Sequence, residues 1–458
     1  MQILIVFIIF LLLLGFLEFR KKTALEGFLV ADRKASAFEI AFSIVATCVG
    51  GAATIGVVSN MQKYGFAAVW WLLSGAIGLM ILAIFIAKIL RASRALTFAQ
   101  IAEIFIDKRA RLVSAVIICV AWCAILAAQF SASARILSTF DLNFNSSLFI
   151  GGAVIIVYTI LGGQRAVIRS DVYQYAIVIA AFLAVLLWLN FNSPQVFKNV
   201  NFTLKNDAFG YDKIGYYLLV IGTSYVIDPM LFSRILSAKN ERAAILGSIF
   251  GAVGIAISSI MIAFIGFGAM SLATDGTSGE NLLNVSLFNA LPASLGAILM
   301  LGLLAAIISS ADTCLITASG IFAHDILRSE DLKIYRIATL GFGAIALLLA
   351  SFGGEILNYL FAASNIFVSG VATALFFAII FRGKIDKDLV LCAMYLGGAL
   401  GLAAAISGIN AFAVAGIITA CILCLAARFK FNVASSKPDP NCVCIPQASE
   451  YEERNKRR

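Results

Sequence analysis

Apolar runs of about 20 residues, parted by short polar breaks, recur along the whole chain. Each is long enough to cross a bilayer as a helix, at about 1.5 Å of rise per residue. The pattern predicts thirteen spans, at 2–18, 36–61, 66–90, 112–138, 146–162, 171–191, 214–236, 243–272, 292–323, 335–353, 357–381, 389–407 and 409–427. Short alternating strands of the barrel kind do not occur, so the fold class is an all-α integral membrane protein. The first run, ILIVFIIFLLLLGFLEF, is followed rather than preceded by RKK and lacks a small-residue cleavage site. It reads as a retained helix and not as a signal peptide. The breaks 192–213 and 273–291 are polar and suit lids, and the tail 430–458 reads as disordered.

Polar residues inside such runs are costly and face a cavity or one another. Three groups break the pattern. In SIVATCVGGAATIG, residues 43–56, Gly50 and Gly51 interrupt the second span. The stretch either unwinds and bares carbonyl oxygens to a cavity or is a small-residue packing face. In GTSYVIDPML, residues 222–231, Asp228 lies mid-span and Pro229 frees the carbonyl of Tyr225 four residues back. Asp228 either faces a cavity or pairs with a basic residue such as Arg234. Interrupted helices at matching places in two halves point to a transporter site between inverted repeats. In GLLAAIISSADTCL, residues 302–315, Ala306, Ser309 and Ser310 share a helix face, with Asp312 and Thr313 one turn on. A carbonyl and two hydroxyls suit a hard cation such as Na+, although serines also bond back to carbonyls of their own helix.

Composition agrees with the pattern: 61% of residues are hydrophobic and only 13% charged, about half the charge of a soluble domain. The net charge of +9 is a matter of orientation. With the N-terminus outside, Arg234 and the other basic residues fall in inside segments. Of 34 lysines and arginines only Lys63, Arg135, Lys198, Lys205 and Lys213 then lie outside. A plasma (inner) membrane protein with a cytoplasmic C-terminus follows, without a nucleic-acid partner or an evident obligate protein partner. The terminal RNKRR suits anionic membrane lipid. The nine cysteines, mostly within apolar runs, make no disulfide framework. Cys442 and Cys444 form a CxC too small for structural zinc.

Four motifs then occur in order: GFLVADRKAS, YTILGGQRAVIRSDVYQ, FSRILSAKNERAA and ISSADTCLITASGIFAHDI. Together they resemble the sodium:solute symporter family, over about residues 25–385. The resemblance implies a leucine-transporter-like 5+5 inverted repeat with two broken core helices. The chain then divides into an extra helix and inside loop (1–35), a first repeat (36–191), a second repeat (214–381), two C-terminal helices (389–427) and the tail. It also implies a sodium site from the carbonyls of Ala46, Val49 and Ala306 and the hydroxyls of Ser309 and Ser310. A second cation or proton site is implied at Asp171, Asp312 and Thr313. Asp312 departs from the family there, where a hydroxyl is usual, and Asp171 can instead contact Arg165 or Arg169. Substrate positions implied are Cys48, Gly50, Gly51, Ala52, Tyr225 and Asp228, with Trp70 and Trp71 at the outer end of the third span as walls. A carboxylate at 228, where relatives carry an amide, suits an amino acid or a quaternary amine.

The expected activity is symport of a small organic solute with sodium by alternating access. One charge crossing gains about 2.3 kcal/mol per 100 mV, and no phosphate-binding GxxxxGK[ST] loop is present. A non-cycling solute sensor on the same fold is the alternative. An enzyme is not expected, because the single histidine, His324, leaves little acid–base machinery.

Overall fold

The computed structural model describes residues 2–19, 24–140, 142–198, 201–273 and 279–434. Among these, regular structure is helical throughout, apart from two isolated bridges, Ala35 with Ala238 and Asn206 with Phe209. Ten helical stretches are long and apolar enough to cross a membrane. Helix is the only open-chain solution there, since lipid offers backbone groups no partners. Large apolar side chains such as Phe85, Leu187, Ile337 and Leu348 point outward. Polar side chains, among them Ser43, Gln129, Asp171, Arg234, Ser309 and Asp312, are buried inside.

Two elements among the described residues are longer than the expected spans, because each joins two of them across a bend. The spans 146–162 and 171–191 form one element, Phe144–Asn192, of 49 residues. At about 1.5 Å per residue it is more than twice the bilayer core, so it must turn. It does so at Gly163, with φ 62° and ψ −178°, a conformation open essentially to glycine alone. The Tyr158 hydroxyl donates to Ser170 Oγ across the bend, at 2.6 Å. Similarly, Ala53–Ser93 joins parts of two expected spans and turns at Gly65, φ 60°. The last helix, Asn410–Ala434, runs past the expected end at 427. The start of the expected disordered tail is therefore helical. The rest of the tail, with Cys442, Cys444 and RNKRR, lies outside the described residues.

Both expected breaks are present. Helix Ala37–Cys48, opened by a Ser36–Glu39 capping box, ends at Val49 (φ −93°, ψ 54°), and helix resumes from Gly51. Helix Thr223–Val226 ends at Ile227, and Pro229–Ser237 follows. Proline at the first helical position lacks only an N–H that would be unpaired anyway. Between these breaks stands helix Ala293–Ile321, whose residues Gly302–Ile321 are buried on every side. It packs on Ala37–Cys48, Lys108–Leu137 and Phe144–Asn192.

Gly163→Ala should lower stability by about 1–3 kcal/mol. The added Cβ would also sit 2.6 Å from the Phe28 ring. Thermal unfolding of the detergent-purified protein, followed by tryptophan fluorescence, measures the loss.

Candidate functional site

Ser309 and Ser310 reach across to the first break. Ser309 Oγ lies 2.9 Å from the Ala46 carbonyl and 2.8 Å from that of Ala306. Ser310 Oγ lies 2.8 Å from the Thr47 carbonyl and 3.1 Å from that of Ala306. The hydroxyls thus bond back within their helix and bridge to the other helix at once. Each has one proton and so can donate to only one of its two carbonyls. Five oxygens therefore converge around two protons. That is an electron-rich cage of neutral hard ligands, which suits a small monovalent cation. Val49 is expected here but takes no part in the serines' bonds. The serines bond the Thr47 carbonyl instead, because the helix runs regularly as far as Cys48 and presents the carbonyls of 46 and 47 together. Gly50 is required by the close approach, since a Cβ there would run into Ser310 Oγ.

Beside the cage lies a cavity of about 90 Å³, lined by Cys48, Gly50, Trp71, Trp122, Gln129, Tyr225, Asp228, Ser310 and Phe367 among others. Asp228 is not paired with Arg234 by hydrogen bond. It caps the resumed helix, accepting from the N–H groups of Met230 (2.7 Å) and Leu231 (2.9 Å). A carboxylate is favoured at that positive helix end. Of the other expected substrate positions, Cys48, Gly50 and Tyr225 line the cavity, whereas Gly51 and Trp70 do not. Gly51 faces Ala132 and Gln129. Trp70 sends its indole N–H to the Leu204 carbonyl at 2.8 Å, anchoring a loop. Its neighbour Trp71, about 100° further round the helix, takes the wall position. Ala52 follows Gly51 in the first turn of the resumed helix, and its side chain is not among those described.

Sequence reading missed two residues that matter. Gln129 Oε1 accepts the Gly51 N–H at 3.0 Å and so holds the broken backbone. It is the one amide in the run 112–138, beside the small polar Ser131 and Ser133, a signal easily taken for packing. Arg234, assigned by sequence to an inside flank, is fully buried. Its Nη2 lies 3.1 Å from Asp171 Oδ2 and 3.2 Å from Thr47 Oγ1. Nη2 also donates to Thr313 Oγ1, and Nε donates to Ser43 Oγ at 2.8 Å. Asp171 also accepts from Ser43 Oγ. Its ion pair is thus with Arg234, not with Arg165 or Arg169, and Arg165 pairs instead with Asp32. Asp312 is fully buried nearby, its Oδ1 accepting from Thr313 Oγ1 at 3.3 Å. The Arg234 guanidinium thus lies among the residues expected to hold a second cation or proton.

Contacts of different kinds flank the cavity on its two sides. On the arginine-rich side, Ala35 exchanges backbone bonds with Ser237 and Lys239 (3.0 and 2.8 Å). Arg33 donates to the carbonyls of Leu236, Arg94 and Ala95, and Arg91 to that of Ala238. On the other side, three rings meet edge to face. Trp71 lies 5.1 Å from Phe361 and 6.1 Å from Tyr217, and the latter two lie 5.8 Å apart. Beyond them opens a chamber of about 280 Å³ bordered by Lys63, Lys213, Glu280 and Glu355.

The profile of the sodium:solute symporter family matches residues 28–397. A sodium/pantothenate symporter of Haemophilus influenzae is 22% identical over 330 residues, 67% of this chain and 66% of that protein. A sodium/proline symporter of Staphylococcus saprophyticus is 25% identical, covering 71% of this chain and 68% of that one. A high-affinity choline transporter of Caenorhabditis elegans is 25% identical, covering 73% and 63%. The matches thus span about two thirds of these relatives' length. Among solved structures, a Na+-coupled sialic acid symporter in a substrate-bound outward-open state superposes with a TM-score of 0.81. The identity is 15%, with 94% of this chain and 97% of that one covered. That likeness shows the fold, the leucine-transporter-like inverted repeat.

Gln129→Leu should leave the buried Gly51 N–H without an acceptor and cost about 1–3 kcal/mol. Gln129→Glu, which keeps an acceptor, should lose less. Thermal unfolding of both variants beside the parent decides the point.

Proposed function

The chain belongs to the sodium:solute symporter family, and from that premise we propose that it takes up a small amine-bearing solute together with sodium by alternating access. One observation carries the reading: the oxygen cage of Ala46, Thr47, Ala306, Ser309 and Ser310 opens beside a cavity holding a single carboxylate, Asp228. A cation in the cage would tie the broken helix to helix Ala293–Ile321 and fix the cavity wall formed by Cys48 and Gly50. Solute would then bind better with sodium present, and sodium better with solute, since such coupling is reciprocal.

The cavity chemistry favours a positive solute group. Aromatic side chains of Trp71, Trp122, Tyr225 and Phe367 line the cavity together with Asp228, and an ammonium is attracted both to ring faces and to a carboxylate. Proline and choline, the solutes in the names of two relatives, carry such a group. Pantothenate and sialic acid, in the names of two others, are anions that Asp228 would repel.

The arginine-rich side is read as cytoplasmic, by the positive-inside rule, which puts the C-terminus inside and the N-terminus outside in a plasma membrane. The aromatic seal then faces outward and is the weaker one. Opening outward parts three ring contacts, whereas opening inward breaks the hydrogen bonds of Ala35, Arg33 and Arg91. Sodium arriving from outside therefore meets the side that yields first. The first repeat is taken as 36–191 and the second as 214–381, placing the two breaks at matching positions.

Uptake of radiolabelled L-proline, choline and pantothenate into proteoliposomes tests the reading. An inward sodium gradient should accelerate proline or choline and leave pantothenate unchanged. If sodium accelerates none of a wider amine panel, the reading fails. Ser309→Ala and Ser310→Ala should each raise the half-saturating sodium concentration on the order of tenfold, equivalent to about 1.4 kcal/mol. Unaltered sodium dependence in both would place the ion elsewhere.

A further inference from the structure

We propose that the side-chain amide of Gln129 is the donor pole of the solute cavity, as Asp228 is its acceptor pole, so that the cavity selects amines that also carry a carboxylate, as α-amino acids and betaines do. The proposal rests on the amine reading above and narrows it.

Gln129 is 4% exposed and lines the cavity. Its amide can sit only one way round. The Gly51 N–H can only donate, so the atom 3.0 Å from it is Oε1. The planar amide then turns Nε2 away from the broken backbone. Nε2 donates to no described residue and, unlike the indole nitrogen of Trp122, is not fully enclosed. The space it borders is the cavity. The lining hydroxyls of Ser224 and Ser310 are already committed to carbonyls.

Asp228 is divided in the same manner. Oδ1 takes both N–H groups of the resumed helix, while Oδ2 accepts from no described residue and is likewise not enclosed. Each break thus fixes one polar side chain by one atom and leaves its other polar atom to the cavity. A solute with an ammonium alone answers Asp228 and offers the amide nothing. A solute with an ammonium and a carboxylate answers both. No lysine or arginine is among the described residues lining the cavity, so the carboxylate must be met by a neutral donor. Leaving such a buried donor unpaired is costly, which is how built polar sites reject analogues that lack the partner. Sodium would add to the selection. Ser310 belongs both to the lining and to the oxygen cage. Only Gly50 parts it from Gln129, since a Cβ there would lie 2.9 Å from Ser310 Cβ and 3.0 Å from Gln129 Oε1. A carboxylate on the amide would therefore stand near the caged cation, which attracts it.

Glycine betaine and choline form a matched pair: both carry a trimethylammonium, and only betaine carries a carboxylate. L-Proline and pyrrolidine form another. Calorimetric binding of all four to the detergent-purified full-length chain in saturating sodium tests the proposal. Within a pair, the carboxylate-bearing member should bind about tenfold more tightly or better. Equal affinities, or tighter binding of the bare amine, would overturn the proposal and leave the amine reading standing. Binding of none of the four would overturn both. Gln129→Glu keeps an acceptor for Gly51 and puts a carboxylate oxygen where the free N–H groups stood. It should cut the preference within a pair by about tenfold or more. An undiminished preference, with both members weakened alike, would assign Gln129 to the backbone alone. Should that variant fold poorly, the preference of the parent chain still decides.

Discussion

The contact between Ser309–Ser310 and the end of helix Ala37–Cys48 is the constraint on which the rest of the site depends. Two hydroxyls stand within about 3 Å of three carbonyls belonging to two helices, as hydrogen-bonded oxygens do. Such an approach is possible only where one helix stops and has no side chain in the way. Hence Val49 leaves helical geometry, Gly50 follows, and Gln129 takes up the Gly51 N–H that the break frees. Any Cβ at 50 would push the helices apart and open the cage. The break is a local loss of hydrogen bonding that the neighbouring helices make good, the condition under which irregular backbone survives at membrane depth.

The second break obeys the same rule by other means. Pro229 removes a donor, and Asp228 satisfies two of the N–H groups left at the resumed helix end. Its charge is thereby held in place before any solute arrives. Arg234 sits two turns along the same short helix and faces the opposite partner, Asp171. One helix of nine residues thus presents an anion to the cavity at its start and a cation to Asp171 near its end. A rigid shift of that helix would move Asp228 and Arg234 together, so the cavity and the buried Arg234–Asp171 pair are linked through one helix.

Much of this was legible in the chain before any fold was known. Apolar run length gave the helices, and Gly50–Gly51 and Asp228–Pro229 marked the breaks, because glycine and proline act through the backbone wherever they stand. The serine pair was legible for a similar reason: hydroxyls and a carboxylate in an apolar run demand an explanation. Besides Gln129, three things escaped. Arg234 reads as a flanking charge by its position near a span's end, and only the packing of helix Pro229–Ser237 against Ala37–Cys48 turns it inward. Trp70 and Trp71 differ by one residue, and period alone does not say which of two adjacent indoles meets the cavity. The joins at Gly65 and Gly163 escaped because a polar break and a bent continuous helix have the same hydropathy profile.

The contacts on the two flanks bear on how the ion cage and the gates act on one another. The bonds on the arginine-rich side tie the entry of helix Ala37–Cys48, at Ala35, to the exit of helix Pro229–Ser237, at Ser237 and Lys239. These are the outer ends of the two segments whose inner ends form the cage and the capped carboxylate. Both segments are short, 12 and 9 residues, and helices of that length transmit displacement as rigid rods. Opening on that side must therefore pull on Ala46 and Thr47 or on Asp228. A cation held in the proposed cage would resist the first of these motions, and its departure would remove the resistance. Under the proposed coupling, release of the ion and parting of the hydrogen-bonded side would be two ends of one lever.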